Sequence, residues 1–527
     1  MKKAHIATAL FSGLVVVTGL VVLTAKTGAP QQNLSSEEFF SNSLENIQVS
    51  TETEMIELND GDRFEITAKA TKHTIDGQEV RMLSYNGSIP GPTIVVTEGD
   101  EIVLDIKNEL DVETTIHPHG INADSANDGV PEISQDPIAI GADYQQNISF
   151  PEPGLFWYHP HVREDYAQAS GMYANFIVRP KDANAWPVAD REEILQLGDI
   201  SLTDDGLLEF SKEKVTHTLM GRFGNTQLVN GRTDYIVDAR QNEVTRLYLT
   251  NTSSARSFRF EIPGVKLKLI GGDNGLFERD EFVDTVTIAP SERAIVDMLF
   301  EEAGQYTIQN NNQEANTQIA EINVQPNMES TDAGVTFKTA ATRPDVTEDI
   351  ESLLAEADTS GLSKRLATRV DMNPRFMQSM MREMDRSRMM ESEEDHEGIE
   401  WEDEMPDANS RSDTENTQWS LVDLDNPREK SFDWSFKQND VVTIAVENSE
   451  RTMHPMQHPI HIHGQKFIVA SINGVPTENR VFKDVVQIPV GDTYELVVRM
   501  EHTGTWLLHC HISEHMESGM VGKFTVQ

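Results

Sequence analysis

The chain has 527 residues, with 43 Lys+Arg against 87 Asp+Glu and a formal net charge of −44. That balance excludes nucleic-acid binding through a basic surface able to displace phosphate counterions, while 38% hydrophobic residues suffice for packed cores. The single cysteine, Cys510, excludes an internal disulfide framework and any cysteine-based zinc module.

Lys2 and Lys3 precede an uncharged apolar run from Ile6 to Leu23. This marks residues 1–29 as an export segment, and the run approaches the length that spans a bilayer. A cleaved signal peptide and a retained N-terminal membrane anchor are both open, since the small residues Gly28 and Ala29 are followed by Pro30. No twin arginine is present. The expectation is therefore a chain that crosses unfolded and takes up any cofactor in a periplasmic or other extracytoplasmic space.

Beyond residue 50 the sequence repeats itself. GDEIVLDIKN ending at Asn108, QNEVTRLYLTN ending at Asn251 and QNDVVTIAVEN ending at Asn448 read alike. Ile102, Leu104 and Ile106 alternate with Glu101, Asp105 and Lys107, the period of a half-buried strand. Each copy later has a glycine leading into an apolar strand, at Gly154, Gly304 and Gly504, and the fifth residue onward is His159, Gln309 and His509. Short strands with Gly/Pro/Asn turns indicate an all-β protein of three β-sandwich domains, at 50–182, 190–328 and 413–527. Asn108 and Asn251 lie 143 residues apart but Asn251 and Asn448 lie 197 apart, so an excess of 54 must be placed. It falls at 340–412, read as an insertion between the second and third sandwiches: a short Met-rich helix, then a mobile acidic loop, Glu391–Glu404.

The chemistry lies in the histidines. With 16 in the chain, chance yields about half a His-x-His pair, yet there are four: His117/His119, His159/His161, His461/His463 and His509/His511. Two fall in each outer repeat and none in the middle one. On a strand, residues two apart share a face with Cα atoms roughly 7 Å apart, which suits imidazoles reaching different metals of one compact cluster. Eight imidazoles can meet where the outer domains meet. A second constellation surrounds Cys510, with His515 and Met520 close behind and His458 upstream. One thiolate, two imidazoles and a weak thioether make a copper site for one-electron transfer, whereas zinc wants four firm ligands or an open water position. Cys510 alternates with His509 and His511, so an electron entering at the sulfur has a short covalent path to the cluster.

These stretches resemble those of the multicopper oxidases, the three-domain blue-copper family that includes laccases and bacterial cuprous oxidases. Its four motifs are matched by His117-Pro118-His119-Gly120, His159-Pro160-His161, His458 to Gly464, and His509 to Met520, and the likeness includes YNGSIPGPTI from Tyr85 to Ile94. The resemblance implies cupredoxin-like Greek-key domains and four coppers. It assigns a type 1 copper to His458, Cys510, His515 and axial Met520, and a type 2 copper to His117 and His461. One type 3 copper falls to His119, His159 and His511, its partner to His161, His463 and His509. It also implies a proton-donating role for Asp128, which on sequence alone reads equally as a turn aspartate before Gly129. A second acidic position common in related enzymes is Met516 here.

The implied reaction couples one-electron oxidation of a donor to four-electron reduction of dioxygen to water. Met377, Met380, Met381 and Met384 of the insertion, with Met456, resemble the substrate-Cu(I) ligands of cuprous oxidases; the same helical spacing also describes the apolar stripe of an amphipathic helix. Three functions follow: a cuprous oxidase of copper tolerance, a laccase-like oxidase of phenols or aromatic amines, or a copper-sequestering protein. A monomer is expected.

Overall fold

The computed structural model describes residues 39–121, 124–312, 315–387 and 398–527, the side chains of 383–387 excepted. The apolar run read as an export segment lies outside the described residues.

Three β-sandwiches follow one another, each with its own apolar core. The repeated segments form the equivalent strands Glu101–Asn108, Val244–Asn251 and Val441–Glu447. Each lies inside its sheet, parallel to one neighbour (Arg63–Ile75, Arg191–Ile200, Leu362–Met372) and antiparallel to another (Asp143–Ser149, Arg293–Leu299, Thr493–Arg499). The asparagine ending each strand explains the repeat physically. Its buried side-chain amide donates to two backbone carbonyls that would otherwise be orphaned: Val112 and Ile138 for Asn108, Arg256 and Ile288 for Asn251, Met456 and Ile488 for Asn448, at 2.8–2.9 Å. In the outer domains this bond anchors the chain five residues before His117 and two before His458.

The second sheet of each outer sandwich carries the paired histidines. His117–His119 runs antiparallel to Gly154–His159, with His117 opposite His159. His458–Ile462 runs antiparallel to Gly504–Cys510, with His461 opposite His509 and Ile460 opposite Cys510. Strand alternation therefore turns Cys510 to the face opposite His509.

The stretch 340–412 differs from the expectation. The Met-rich helix is present at Pro374–Ser387, but it is not placed between the second and third sandwiches. The strand Leu362–Met372 precedes it and pairs with both Val441–Glu447 and Thr417–Asp423, so the helix springs from inside the third domain. The strand was hidden because its inward positions include Lys364 and the buried Thr368, whose hydroxyl bonds Asn448 at 2.9 Å. Before it, helix Pro344–Ser360 packs Ile350 and Leu353 on Val441, Ile468 and Val497.

The acidic run is not wholly a mobile loop either. Residues 391–397 lie outside the described residues, but the part from Gly398 onward is docked. Trp401 is buried, and Glu402 takes a bidentate bond from the buried Arg256 at 2.5 and 2.9 Å, Arg256 also holding Asp199 at 2.8 Å. Glu400 and Gln457 exchange two hydrogen bonds. A charge run reads as solvated only when no buried cation waits for one of its members.

Candidate metal centre

All eight motif histidines are buried where the first and third sandwiches meet. Rings from opposite domains stack, His117 on His463 at 4.3 Å and His119 on His461 at 3.8 Å between centroids. His119 Nε2 lies 2.9 Å from His511 Nε2, and His463 Nε2 lies 2.8 Å from His509 Nε2. Ligand atoms of His161, His463 and His509 fall within 4.8 Å of one another, as do those of His117, His461 and His463 and those of His117, His119 and His159.

The far side of six of these rings fixes the tautomer. Nδ1–H of His117 donates to the Asp128 carbonyl at 2.7 Å, that of His461 to the Asp484 carbonyl at 2.7 Å, and that of His509 to the Cys510 carbonyl at 2.8 Å. His463 Nδ1 donates to the Asp128 carboxylate at 2.9 Å and His119 Nδ1 to the Asp484 carboxylate at 2.7 Å. Each outer domain thus holds a histidine of the other with its own aspartate. His159 Nδ1–H donates to the Pro160 carbonyl at 3.0 Å, with the Glu164 carboxylate 2.8 Å away. This is the arrangement that orients metal-binding imidazoles and raises their basicity.

The inward atoms test whether metal fits. Among the described residues no hydrogen-bond partner reaches the buried Nε2 of His117, His159, His161 or His461, and each such orphan costs about 1–3 kcal/mol. His463 and His509, both donating through Nδ1, turn lone pairs toward each other at 2.8 Å. A cation between them converts that repulsion into two bonds. Burial, reinforced by the neighbouring rings, also holds His161 down at about 3 and His509 at about 4, keeping both neutral for a cation. The residues fit a cluster of cations.

The second centre lies in the core of the third sandwich. His458 Nδ1 and His515 Nδ1 are 3.3 Å apart, and both face Cys510 Sγ, at 3.6 and 3.8 Å. Met520 is buried in the same core, and its backbone carbonyl accepts from Cys510 N at 3.1 Å. Burial pushes the Cys510 thiol well above the usual range, so a thiolate here requires a cation beside it; the Ile512 N–H, 3.4 Å from the sulfur, is a weaker aid. Trp419 stacks on His515 at 4.4 Å and meets His458 edge-on at 4.8 Å. Its indole N–H donates to Thr218 of the middle sandwich at 2.7 Å.

The methionines divide into two groups. Met380 and Met405 pack with Leu219, Met220 and Phe376, and Met372 packs against them, partly buried. Met377 is half-buried and Met381 exposed, while the side chain of Met384 lies outside the described residues. Met456 sits in the third-domain core with Trp419, Cys510 and Met520 rather than with Met380. Sequence reasoning missed His454, buried with Nε2 2.9 Å from Met220 Sδ and its ring 6.4 Å from Trp419. It missed Asp484 too. No motif marks that aspartate, which becomes visible only when two domains close on it.

Two buried copper-type centres joined through consecutive residues, on a frame of three cupredoxin-like sandwiches, define a copper-dependent oxidoreductase that uses oxygen as acceptor. Multicopper oxidase family models match residues 67–183, 202–327 and 401–527, and the chain belongs to the multicopper oxidases. It is 25% identical to the multicopper oxidase mco of Staphylococcus aureus, covering 87% of this chain and 88% of that protein. Identity is also 25% to copper resistance protein A of Escherichia coli, covering 89% and 93%. The fold is shared with the multicopper oxidase of Campylobacter jejuni, a metallo-oxidase, at a TM-score of 0.64 and 23% identity over 93% of this chain and 99% of that one.

Proposed function

We propose that the chain is a cuprous oxidase of copper tolerance, oxidising four Cu(I) with one dioxygen and four protons to four Cu(II) and two waters. His458, Cys510, His515 and Met520 hold the type 1 copper, His117 and His461 the type 2 copper, and the triads His119/His159/His511 and His161/His463/His509 the type 3 pair. Bound copper supplies reversible one-electron chemistry at the thiolate and a four-electron sink for dioxygen at the histidines.

The observation that carries the substrate is the imidazole of His454 against the thioether of Met220, which itself packs with the buried Met380 and Met405, the His454 ring lying 6.4 Å from that of Trp419. Soft donors of this kind select Cu(I). Trp419 packs on both His515 and His458, and both type 1 histidines are fully buried, so neither ring edge is open to a phenol. Cys510 joins the two centres through its own backbone, because its carbonyl accepts from His509. Asp128, whose carbonyl accepts from His117 and whose carboxylate accepts from His463, would be the acidic group from which protons reach these imidazoles. The copper resistance in the name of the Escherichia coli relative supports the same reading. The charged start and apolar run lead us to assign the chain to an extracytoplasmic space.

Oxygen uptake by the copper-loaded chain with Cu(I), Fe(II) and a phenol side by side tests this. Met220→Leu and His454→Phe should each lower kcat/KM for Cu(I) at least tenfold and leave phenol turnover unchanged. Undiminished Cu(I) turnover in both variants would sink the reading. Preference for phenol in the wild type would install the laccase reading, and tight binding of many coppers without uptake would install sequestration.

A further inference from the structure

Arg293 opens the strand Arg293–Leu299 of the middle sandwich, the domain that supplies no motif histidine. Its side chain is fully buried. Nη2 and Nη1 donate to the two carboxylate oxygens of Asp484 at 2.5 and 3.1 Å, Nε donates to the carbonyl of Leu155 at 3.0 Å, and Nη1 also reaches the Ser291 carbonyl at 3.0 Å. Asp484 belongs to the third domain, and Leu155 lies in the first-domain strand that ends in His159. The guanidinium is therefore bonded to all three sandwiches at once.

What it grips orients the cluster. The Asp484 carboxylate takes Nδ1–H of His119 and its backbone carbonyl takes Nδ1–H of His461, so two imidazoles from two domains are aimed by one residue. Gly120, next to His119, is packed so closely on this pair that a Cβ there would lie 3.1 Å from Arg293 Nη2 and 3.2 Å from the Asp484 carboxyl carbon. A planar fork of donors is needed to hold a carboxylate by both oxygens while bonding a carbonyl on another strand, and an ammonium offers only a point charge. The buried Asp273 and the partly buried Lys483 and Glu292 complete the charge set, Lys483 lying 3.0 Å from Asp273 and 3.3 Å from Glu292.

We infer that Arg293 is a positioning residue for the histidine cluster, through which docking of the middle sandwich sets how tightly the outer domains bind their shared metals. The inference rests on the reading that His119 and His461 hold copper. It gives the middle domain a task in metal binding that its lack of ligands conceals.

The full-length copper-loaded chain is compared with Arg293→Lys and Arg293→Met by copper per chain, the type 2 electron paramagnetic resonance signal, the near-ultraviolet band of the bridged pair and the blue band. A wild type without the type 2 and bridged-pair signals refutes the copper-ligand reading itself, before any variant is considered. With those signals present, both variants should keep the blue band while affinity for the cluster coppers falls 10–100-fold, Lys losing less than Met. Parallel loss of blue and cluster signals would reveal a general structural role and overturn the inference. Unchanged cluster affinity in Arg293→Lys, which keeps the charge and is the variant to rely on where Arg293→Met does not fold, would overturn it as well.

Discussion

Asn251 in the middle sandwich and Asn448 in the third each spend a side-chain amide on two backbone carbonyls, yet the carbonyls serve different ends. Those of Asn251 belong to Arg256 and Ile288 and close a sandwich. One of those of Asn448 belongs to Met456, two residues before His458, and so also positions a metal ligand. The same divergence appears where His159 and His509 face the cluster, while the side chain of their counterpart Gln309 bonds nearby Thr307 at 3.3 Å. The middle copy keeps the fold and gives up the ligands. In exchange it lends Thr218 to hold Trp419, Met220 to contact His454, and Arg293 to grip Asp484. A shared fold sets where residues stand, and the residue at each place sets what the domain does.

The largest effect that tests this division is at Cys510. Cys510→Ser should abolish the blue colour and reduce donor-driven oxygen uptake below detection, while the histidine cluster still binds metal, as copper counting and the type 2 signal would report. Retained colour would contradict the assignment of the thiolate.

Removing copper should next expose the outer domains to acid. Burial holds His458 and His161 at about 3 and His454 and His509 at about 4, against about 6.5 in the unfolded chain. The unfolded state therefore binds more protons, so this stability is complete above the unfolded value and is lost as pH falls through 6 toward the folded values. At pH 5 each such group removes about 2 kcal/mol from the copper-free protein, and a few of them rival a typical total stability of about 5–15 kcal/mol. Thermal melting of copper-free protein at pH 7.5 and pH 5 should show a steep fall that the copper-loaded form resists, with exchange protection lost first in the first and third sandwiches. A flat profile would mean the cavity admits water and the rings are not held neutral.

Much of the division was legible before the fold. The repeat, the ligand pairs and the empty middle copy follow from the period of two and from counting, because strand alternation is local and histidine is rare. Three things were not. Leu362–Met372 turns Lys364 and Thr368 inward and hides its alternation. Arg256 captures part of an acidic run whose composition alone says solvent. Asp484 and Arg293 acquire meaning only by meeting across domains, at separations of 365 residues to His119 and 191 to each other, where no local pattern can signal them.

A smaller and more symmetrical test returns to the asparagines. Alanine at Asn251 or Asn448 orphans two buried carbonyls, a loss of about 2–6 kcal/mol in either case. Denaturant melts of the two variants should therefore agree, while only Asn448→Ala should weaken the blue band, since only there does an orphaned carbonyl adjoin a ligand strand. Equal retention of blue colour would show that His458 is fixed by its strand pairing with Val485–Ile488 and not by Asn448.

The smallest expected change belongs to Met520. A thioether is the weak, long ligand of a trigonal site whose firm members are one thiolate and two imidazoles, so it tunes the potential more than it secures the ion. Met520 is fully buried beside Cys510, and leucine is close to it in volume, so Met520→Leu should pack at a cost of under about 1.5 kcal/mol. The blue band should persist and the potential should rise, because an electron-rich donor that favours the oxidised state is gone. Redox titration of the blue band measures the shift against wild type. Loss of type 1 copper in this variant would place Met520 among the firm ligands, and the asymmetry between a third sandwich that carries ligands and a second one that only supports them would then rest on four strong bonds instead of three.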